Sequence, residues 1–294
     1  PAKNIITSMN VDNIYKIPLV YENQHVFDIM AEHFGLPNAA GDMSRFKKIE
    51  HYLDNDLPVC TIGMVGKYFD ISDAYKSLNE ALFHAGIQNN VHIRIKKINA
   101  ETVTPDDFSD VDGILVPGGF GTRGVEGKIA AAQYARENNI PFMGICLGMQ
   151  VSVIEFMRNV VGDKNANSTE FAKNCTPVIY IMKDCDKENM GGTLRLGAYP
   201  CNIKPGTLAE KVYGATQISE RHRHRYEVNI EYKDVLEKAG MIVSGISPDG
   251  KLPEIIEIPS HKFFMAGQFH PEFQSNPFSG HPMFNAFVAA AKNK

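Results

Sequence analysis

The chain has 294 residues, 44% hydrophobic and 22% charged, so it can bury a full core and is not a disordered tail. Thirty Lys and Arg stand against 34 Asp and Glu, a formal charge of −4 that argues against a dedicated nucleic-acid binder. No apolar run approaches the roughly 18 residues of a membrane span, and five cysteines at irregular spacing, without C-x-x-C, fit free thiols in a reducing cytoplasm better than a disulfide framework or a zinc site.

Residues 1–55 read differently from the rest. Gln24–Phe34 and Ser44–Leu53 have amphipathic helical spacing, and Leu36–Asp42 breaks them. This stretch is too small for a core of its own and reads as the end of a preceding domain plus a linker. From residue 56 onward the pattern is that of one domain. Val59–Val65 is a buried strand closed by Gly66, Asp73–Ala85 a helix stopped by Gly86, and Val91–Ile98 an alternating strand. Val111–Val116 is a short strand running into Pro117-Gly118-Gly119. Val125–Asn138 is a helix, Pro141–Ile145 a strand, and Leu147–Val161 a helix. Asn174–Thr216 is less regular. Met241–Ser247, Glu254–Pro259 and Phe263–Phe269 are strands joined by tight turns, and Pro282–Lys292 is a closing helix. Strand–helix alternation with short apolar strands predicts an α/β domain with a parallel sheet covered on both faces.

Gly144-Ile145-Cys146-Leu147-Gly148 sits between a buried strand and a helix, a nucleophile elbow with Cys in the nucleophile place. The glycines let the backbone close, and the helix N-terminus favours a thiolate at Cys146 over a thiol of ordinary pKa ~8.5. A base must accompany it. His270-Pro271-Glu272 follows a strand, and residues two apart on extended backbone face one way, so Glu272 orients the His270 imidazole as the third member of a triad.

Two glycine patterns resemble other sites. Gly119-Phe120-Gly121-Thr122-Arg123-Gly124 matches G-x-G-x-x-G, but the next strand runs into Cys146 instead of a ribose-binding acid. An oxyanion loop fits better, with N–H donors at Gly119 and Leu147. Gly63–Lys67 is too short for a phosphate loop, and Tyr68 replaces the hydroxyl. In Glu220–Glu227, alternation puts Arg221, Arg223 and Arg225 on one side and His222 and His224 on the other. Read alone, this run is either a solvated basic face or a phosphate or carboxylate site.

Taken together, the segments GILVPGGFGTRGVEG (113–127), IPFMGICLGMQ (140–150), NSTEF (167–171), GGTLRLG (191–197), ERHRHRYEVN (220–229) and QFHPEF (268–273) resemble the class I, triad-type glutamine amidotransferase domain of the CTP synthase family, from about Pro58 onward. The resemblance implies a flavodoxin-like, mostly parallel central sheet flanked by helices, with additional antiparallel strands. It implies L-glutamine as substrate, Cys146 as nucleophile, His270 and Glu272 as its partners, and Gly119 and Leu147 as oxyanion donors. It further implies glutamine contacts from Gly119, Leu147, Gly148, Met149, Gln150, Glu170 and Arg225, with Glu170 suiting the α-ammonium and Arg225 the α-carboxylate. No metal or cofactor is expected in this domain. ATP and Mg²⁺ belong to the amidoligase domain expected as its partner, and GTP to an activating region that includes Arg123. The resemblance also implies a homo-oligomer, a tetramer for the full-length enzyme. Residues 1–55 then read as the tail of the synthetase half and linker, and this chain alone as an enzyme with at most weak glutamine hydrolysis. The stretch 172–190 departs from the family in its Lys, Asn and Cys content. Two competing readings are another amidotransferase or γ-glutamyl hydrolase on the same fold, and a nucleotide-binding module in which Cys146 is dispensable.

Overall fold

A computed structural model describes residues 2–37, 41–71, 73–181 and 194–293. Residues 182–190 of the departing stretch and 191–193 of the GGTLRLG segment lie outside the described residues. The chain divides into two units, Pro1–Pro58 and Val59–Lys294. The first contains α1 (Ile17–Asn23), α2 (Val26–Phe34) and α3 (Ser44–Asp54). The helix expected over Gln24–Phe34 forms as α2, starting at Val26, and α1 is an additional helix before it. Pro18 starts α1, and His25 takes φ +56 between the two helices, a left-handed turn that ends one run and begins the next. Leu19, Ile49 and Tyr52 are buried, and Lys16 Nζ bridges Asp12 and Asp54 at 3.1 and 2.6 Å.

The second unit runs β1 (Val59–Gly66), α4 (Lys76–Asn89), β2 (His92–Asn99), β3 (Gly113–Val116), α5 (Val125–Glu137), β4 (Phe142–Ile145), α6 (Leu147–Phe156) and β5 (Ala166–Ser168). It continues with β6 (Thr176–Ile181), β7 (Arg195–Ile203), α7 (Leu208–Tyr213), β8 (Gln217–His224), β9 (Tyr226–Val228), α8 (Lys233–Ala239), β10 (Ile242–Ile246), β11 (Pro253–Glu257), β12 (Phe264–Gly267) and α9 (Pro282–Ala291). Among the described residues, the main sheet has the order β2-β1-β3-β4-β12-β11-β10-β7-β8. The first five strands are parallel and the remaining pairings antiparallel. A small sheet, β5-β6-β9, lies apart. The fold is thus the α/β arrangement expected, a mostly parallel centre with added antiparallel strands.

Alternation along the central strands feeds two cores. Ile114, Val116 and Phe142 pack with Ile129, Ala132 and Val151 of α5 and α6. Leu115, Met143 and Ile145 pack on the opposite face with Leu82, Phe284 and Phe287 of α4 and α9. Phe142 and Phe264, paired in the β4–β12 register, stack at 4.4 Å between ring centroids.

Three local readings need correction. Gly86 does not stop α4. It is buried within the helix, where packing outweighs a propensity cost of about 1 kcal/mol, and the stop is Asn90 at φ +55. The region 174–216 carries β6, β7 and α7. His270-Pro271-Glu272 is not extended: β12 ends at Gly267, and Pro271–Gln274 forms a 3₁₀ turn. Leu147–Val161 is helical throughout, but its last five residues, Met157–Val161, widen into a π turn. Among the described residues no helix is long and apolar enough to cross a membrane.

Candidate active site

Cys146 occupies the corner between β4 and α6 with φ +54 and ψ −103, a conformation that costs a non-glycine residue on the order of 1–3 kcal/mol. Hydrogen bonds hold it there. Its N–H donates to Gly267 O at 2.8 Å, and its carbonyl accepts from Met149 N and Gln150 N at 3.1 and 3.2 Å. The flanking glycines answer to close approach. A Cβ at Gly144 would lie 2.8 Å from the Gly148 carbonyl, and one at Gly148 would collide with the carbonyl oxygen of Val116. As the first two residues of α6, Leu147 and Gly148 have N–H groups without intrahelical acceptors, available at the corner.

The parallel register of β12 against β4 pairs Gly267 with Ile145, so the residues after β12 arrive beside the elbow. His270 N donates to Arg221 O at 2.7 Å, fixing the backbone, and Nδ1 meets Glu272 Oε1 at 2.8 Å across the 3₁₀ turn. The histidine–glutamate pair therefore forms by a different backbone route from the extended one expected. Gly118 shows how near the two reactive groups lie: a Cβ there would sit 3.0 Å from His270 Cε1 and 3.5 Å from Cys146 Cβ. Burial opposes a charge on His270, but the Cys146 sulfur, by charge and hydrogen bond, and the Glu272 carboxylate overcome it and push the imidazole up to about 10.

The loop after β3 is tied down by the lysine of the Gly63–Lys67 segment, whose spacing is no phosphate loop. Lys67 Nζ, at the end of β1, donates to Phe120 O at 2.6 Å and Arg123 O at 3.1 Å. Arg123 Nη2 returns a bond to Lys67 O at 3.3 Å, and its Nη1 pairs with Glu101 at 3.2 Å. Gly121 N donates to Glu170 Oε1 at 2.9 Å. Burial raises the Glu170 carboxyl, while the Gly121 bond and the charges of Lys67 and Arg225 pull it back. Lys128, which no motif singled out, is fully buried under the loop. Its Nζ donates to Pro117 O at 2.9 Å and lies 3.5 Å from where a Gly119 Cβ would be. Burial, then repulsion from Lys67, push it down to about 7, against the pull of Cys146.

Cys146, His270, Glu272, Gly119 and Leu147 therefore gather around one corner, Glu170 is tied to the neighbouring loop at Gly121, and the half-buried Arg225 is near enough to act on Glu170 by charge. Met149 and Gln150 do not present side chains to it. Met149 is in the core, and Gln150 Nε2 donates to Tyr226 O at 2.9 Å and Gln268 Oε1 at 3.2 Å. Gln268 Nε2 in turn reaches Cys146 Sγ at 3.8 Å, a contact no motif announced except its place two residues before His270. On β8, Arg221 and Arg223 are exposed and Glu220, His222 and His224 buried, the alternation expected.

Residues 70–290 match the glutamine amidotransferase class-I family. A CTP synthase of Maridesulfovibrio salexigens is 48% identical over 311 aligned positions, covering 99% of this chain and 57% of that protein; the chain thus spans little more than half the length of this relative. The solved glutaminase domain of Trypanosoma brucei CTPS, with bound acivicin, is 43% identical at a TM-score of 0.76, covering 80% of this chain and 94% of that domain.

Proposed function

The chain belongs to the class-I glutamine amidotransferases, as a glutaminase domain of the CTP synthase kind, and on that premise we propose that Cys146, His270 and Glu272 hydrolyse the side-chain amide of L-glutamine. The observation that carries this reading is the imidazole held between a strained cysteine and a carboxylate 2.8 Å away. An imidazolium next to the sulfur keeps Cys146 as a thiolate ready to attack. The sulfur bonds to the amide carbon, and the carbonyl electrons move to oxygen, facing the N–H groups of Gly119 and Leu147. As the C–N bond breaks, His270 gives its Nε2 proton to the leaving nitrogen and ammonia departs. Now neutral, His270 takes a proton from water, which attacks the γ-glutamyl thioester and releases glutamate and the thiolate. Glu272 keeps Nδ1 protonated throughout, so only Nε2 exchanges protons.

Glu170 suits the substrate α-ammonium and Arg225 its α-carboxylate, by charge and by their place beside the loop. Gly119 and Leu147–Gln150 contribute through backbone groups and shape. The ammonia serves ATP-dependent amination of UTP on an amidoligase partner domain, where ATP and Mg²⁺ act. The first unit is the tail of that half and its linker. GTP activates through the region of Arg123, whose guanidinium lies 5.8 Å from the Tyr68 ring. The assembled enzyme is a cytoplasmic homo-tetramer. The direct test is incubation with a glutamine-like electrophile followed by peptide mass mapping, with glutamate release assayed in parallel. A single adduct at Cys146 is expected; labelling elsewhere, or none, rejects the assignment.

A further inference from the structure

Behind the active-site corner lies a buried polar cluster that the reaction does not use. It comprises His222 and His224 of β8, Glu254 of β11, Arg195 of β7 and Glu227 of β9, all at least nine-tenths buried. Proton positions can be assigned from the end of the chain. His224 Nδ1 lies 3.2 Å from the carbonyl oxygen of Tyr226, which can only accept, so Nδ1 bears hydrogen. In a neutral ring Nε2 is then a lone pair, and it faces His222 Nδ1 at 2.8 Å. His222 must therefore donate from Nδ1 and keep its own lone pair on Nε2. That atom is buried without a hydrogen-bond partner, and so is Glu254 Oε2, 3.5 Å away. Two acceptors facing each other in a dry interior are costly, and one proton between them satisfies both.

We propose that Glu254 is held as a carboxylic acid donating to His222 Nε2, and that this makes it a positioning residue for the glutamine site. The donor chain runs Glu254 to His222 to His224 to the carbonyl of Tyr226. Its last acceptor follows Arg225 and also receives Gln150 Nε2, which continues through Gln268 to Cys146 Sγ. The same strand supplies the Arg221 carbonyl that anchors His270 N. The alternative, a charged His222 against a Glu254 carboxylate, would set an imidazolium between Arg195 and the cationic His270. Burial, those charges and His224 hold His222 down to about 2, and burial with Arg195 and His270 holds His224 to about 3. Glu254 also faces Arg195, 2.6 Å from its Oε1, and the charge of Asp249; burial lifts it to about 7 against the pull of Arg195.

The inference rests on the glutaminase reading only for its kinetic arm. Nitrogen-15 spectra of histidine-labelled full chain near neutral pH are expected to show His222 and His224 both neutral and both protonated on Nδ1. In Glu254→Gln the amide N–H replaces the acid O–H, so those tautomers persist and KM for glutamine stays within about threefold. Glu254→Ala removes the donor and raises KM about tenfold, with a smaller change in kcat. An Nε2-protonated or doubly protonated His222, or a Gln variant as impaired as the Ala variant, overturns the proposal. Should the Ala variant fail to fold, the spectra and the Gln variant still decide. Should the unsubstituted chain hydrolyse no glutamine, the functional reading fails while the spectra still judge the proton chain.

Discussion

His270 and the pair His222–His224 are three imidazoles on adjoining segments, yet the fold gives them opposite charge states. His270 has a carboxylate on one nitrogen and a cysteine sulfur near the other, and is pushed up to about 10. The β8 histidines face each other, the Tyr226 carbonyl, Glu227 and the Glu254 carboxyl group, and are pushed down to about 2 and about 3. Burial presses all three toward the neutral ring; at His270 the Cys146 sulfur and Glu272 overcome it, whereas at the β8 pair the charges of Arg195 and His270 add to it. The contrast also has a use. Neutral rings behind the corner leave its single imidazolium and the Arg225 guanidinium free of further repulsion.

The comparison can be broken most severely at the sulfur. Cys146→Ala should abolish glutamate release, by at least about 10³-fold in kcat, with the fold retained by circular dichroism. Glu272→Gln should cost on the order of 10²–10⁴ in kcat, because the amide no longer fixes the Nδ1–H tautomer of His270. On the β8 side, Arg225→Lys should raise KM for glutamine about tenfold with kcat nearly unchanged, since a point charge replaces a bidentate fork. Gly148→Ala, whose new methyl meets the Val116 carbonyl, should lower unfolding free energy in urea by about 1–3 kcal/mol. The gentlest test is titration. His270 is raised above its unfolded value of 6.5, so its contribution to stability is complete below that pH and is lost as pH rises through about 10. Cys146→Ala removes the sulfur's share, so the NMR titration midpoint of His270 should fall and the alkaline loss of stability should begin at lower pH.

The elbow and the His270–Glu272 pair were legible because each is a short motif whose residue types have few other uses at a strand end. What brings them together was not. The β4–β12 register spans more than a hundred residues and depends on apolar strands that look interchangeable in sequence. β7 escaped notice because its pattern is inverted: Arg195 points inward to two glutamates, while Leu196 is 62% exposed, and Gly197 and Pro200 weaken the strand signal. Buried Glu227 and Glu254 carry no signal in a single sequence, since such residues are ordinarily on surfaces. Lys67 does carry a signal in sequence, its place one residue past a buried strand, but the role of holding a glycine-rich loop through backbone carbonyls leaves no motif.

The backbone bond from Cys146 to Gly267 has a consequence for the making of the protein. β12 inserts between β4 and β11, both of which leave the ribosome before it does. Until that late segment slots in, the corner lacks both its backbone brace and its neighbouring imidazole. A half-made chain thus has the Cys146 corner without the His270 imidazole beside it, and the two meet only after nearly the whole chain is made.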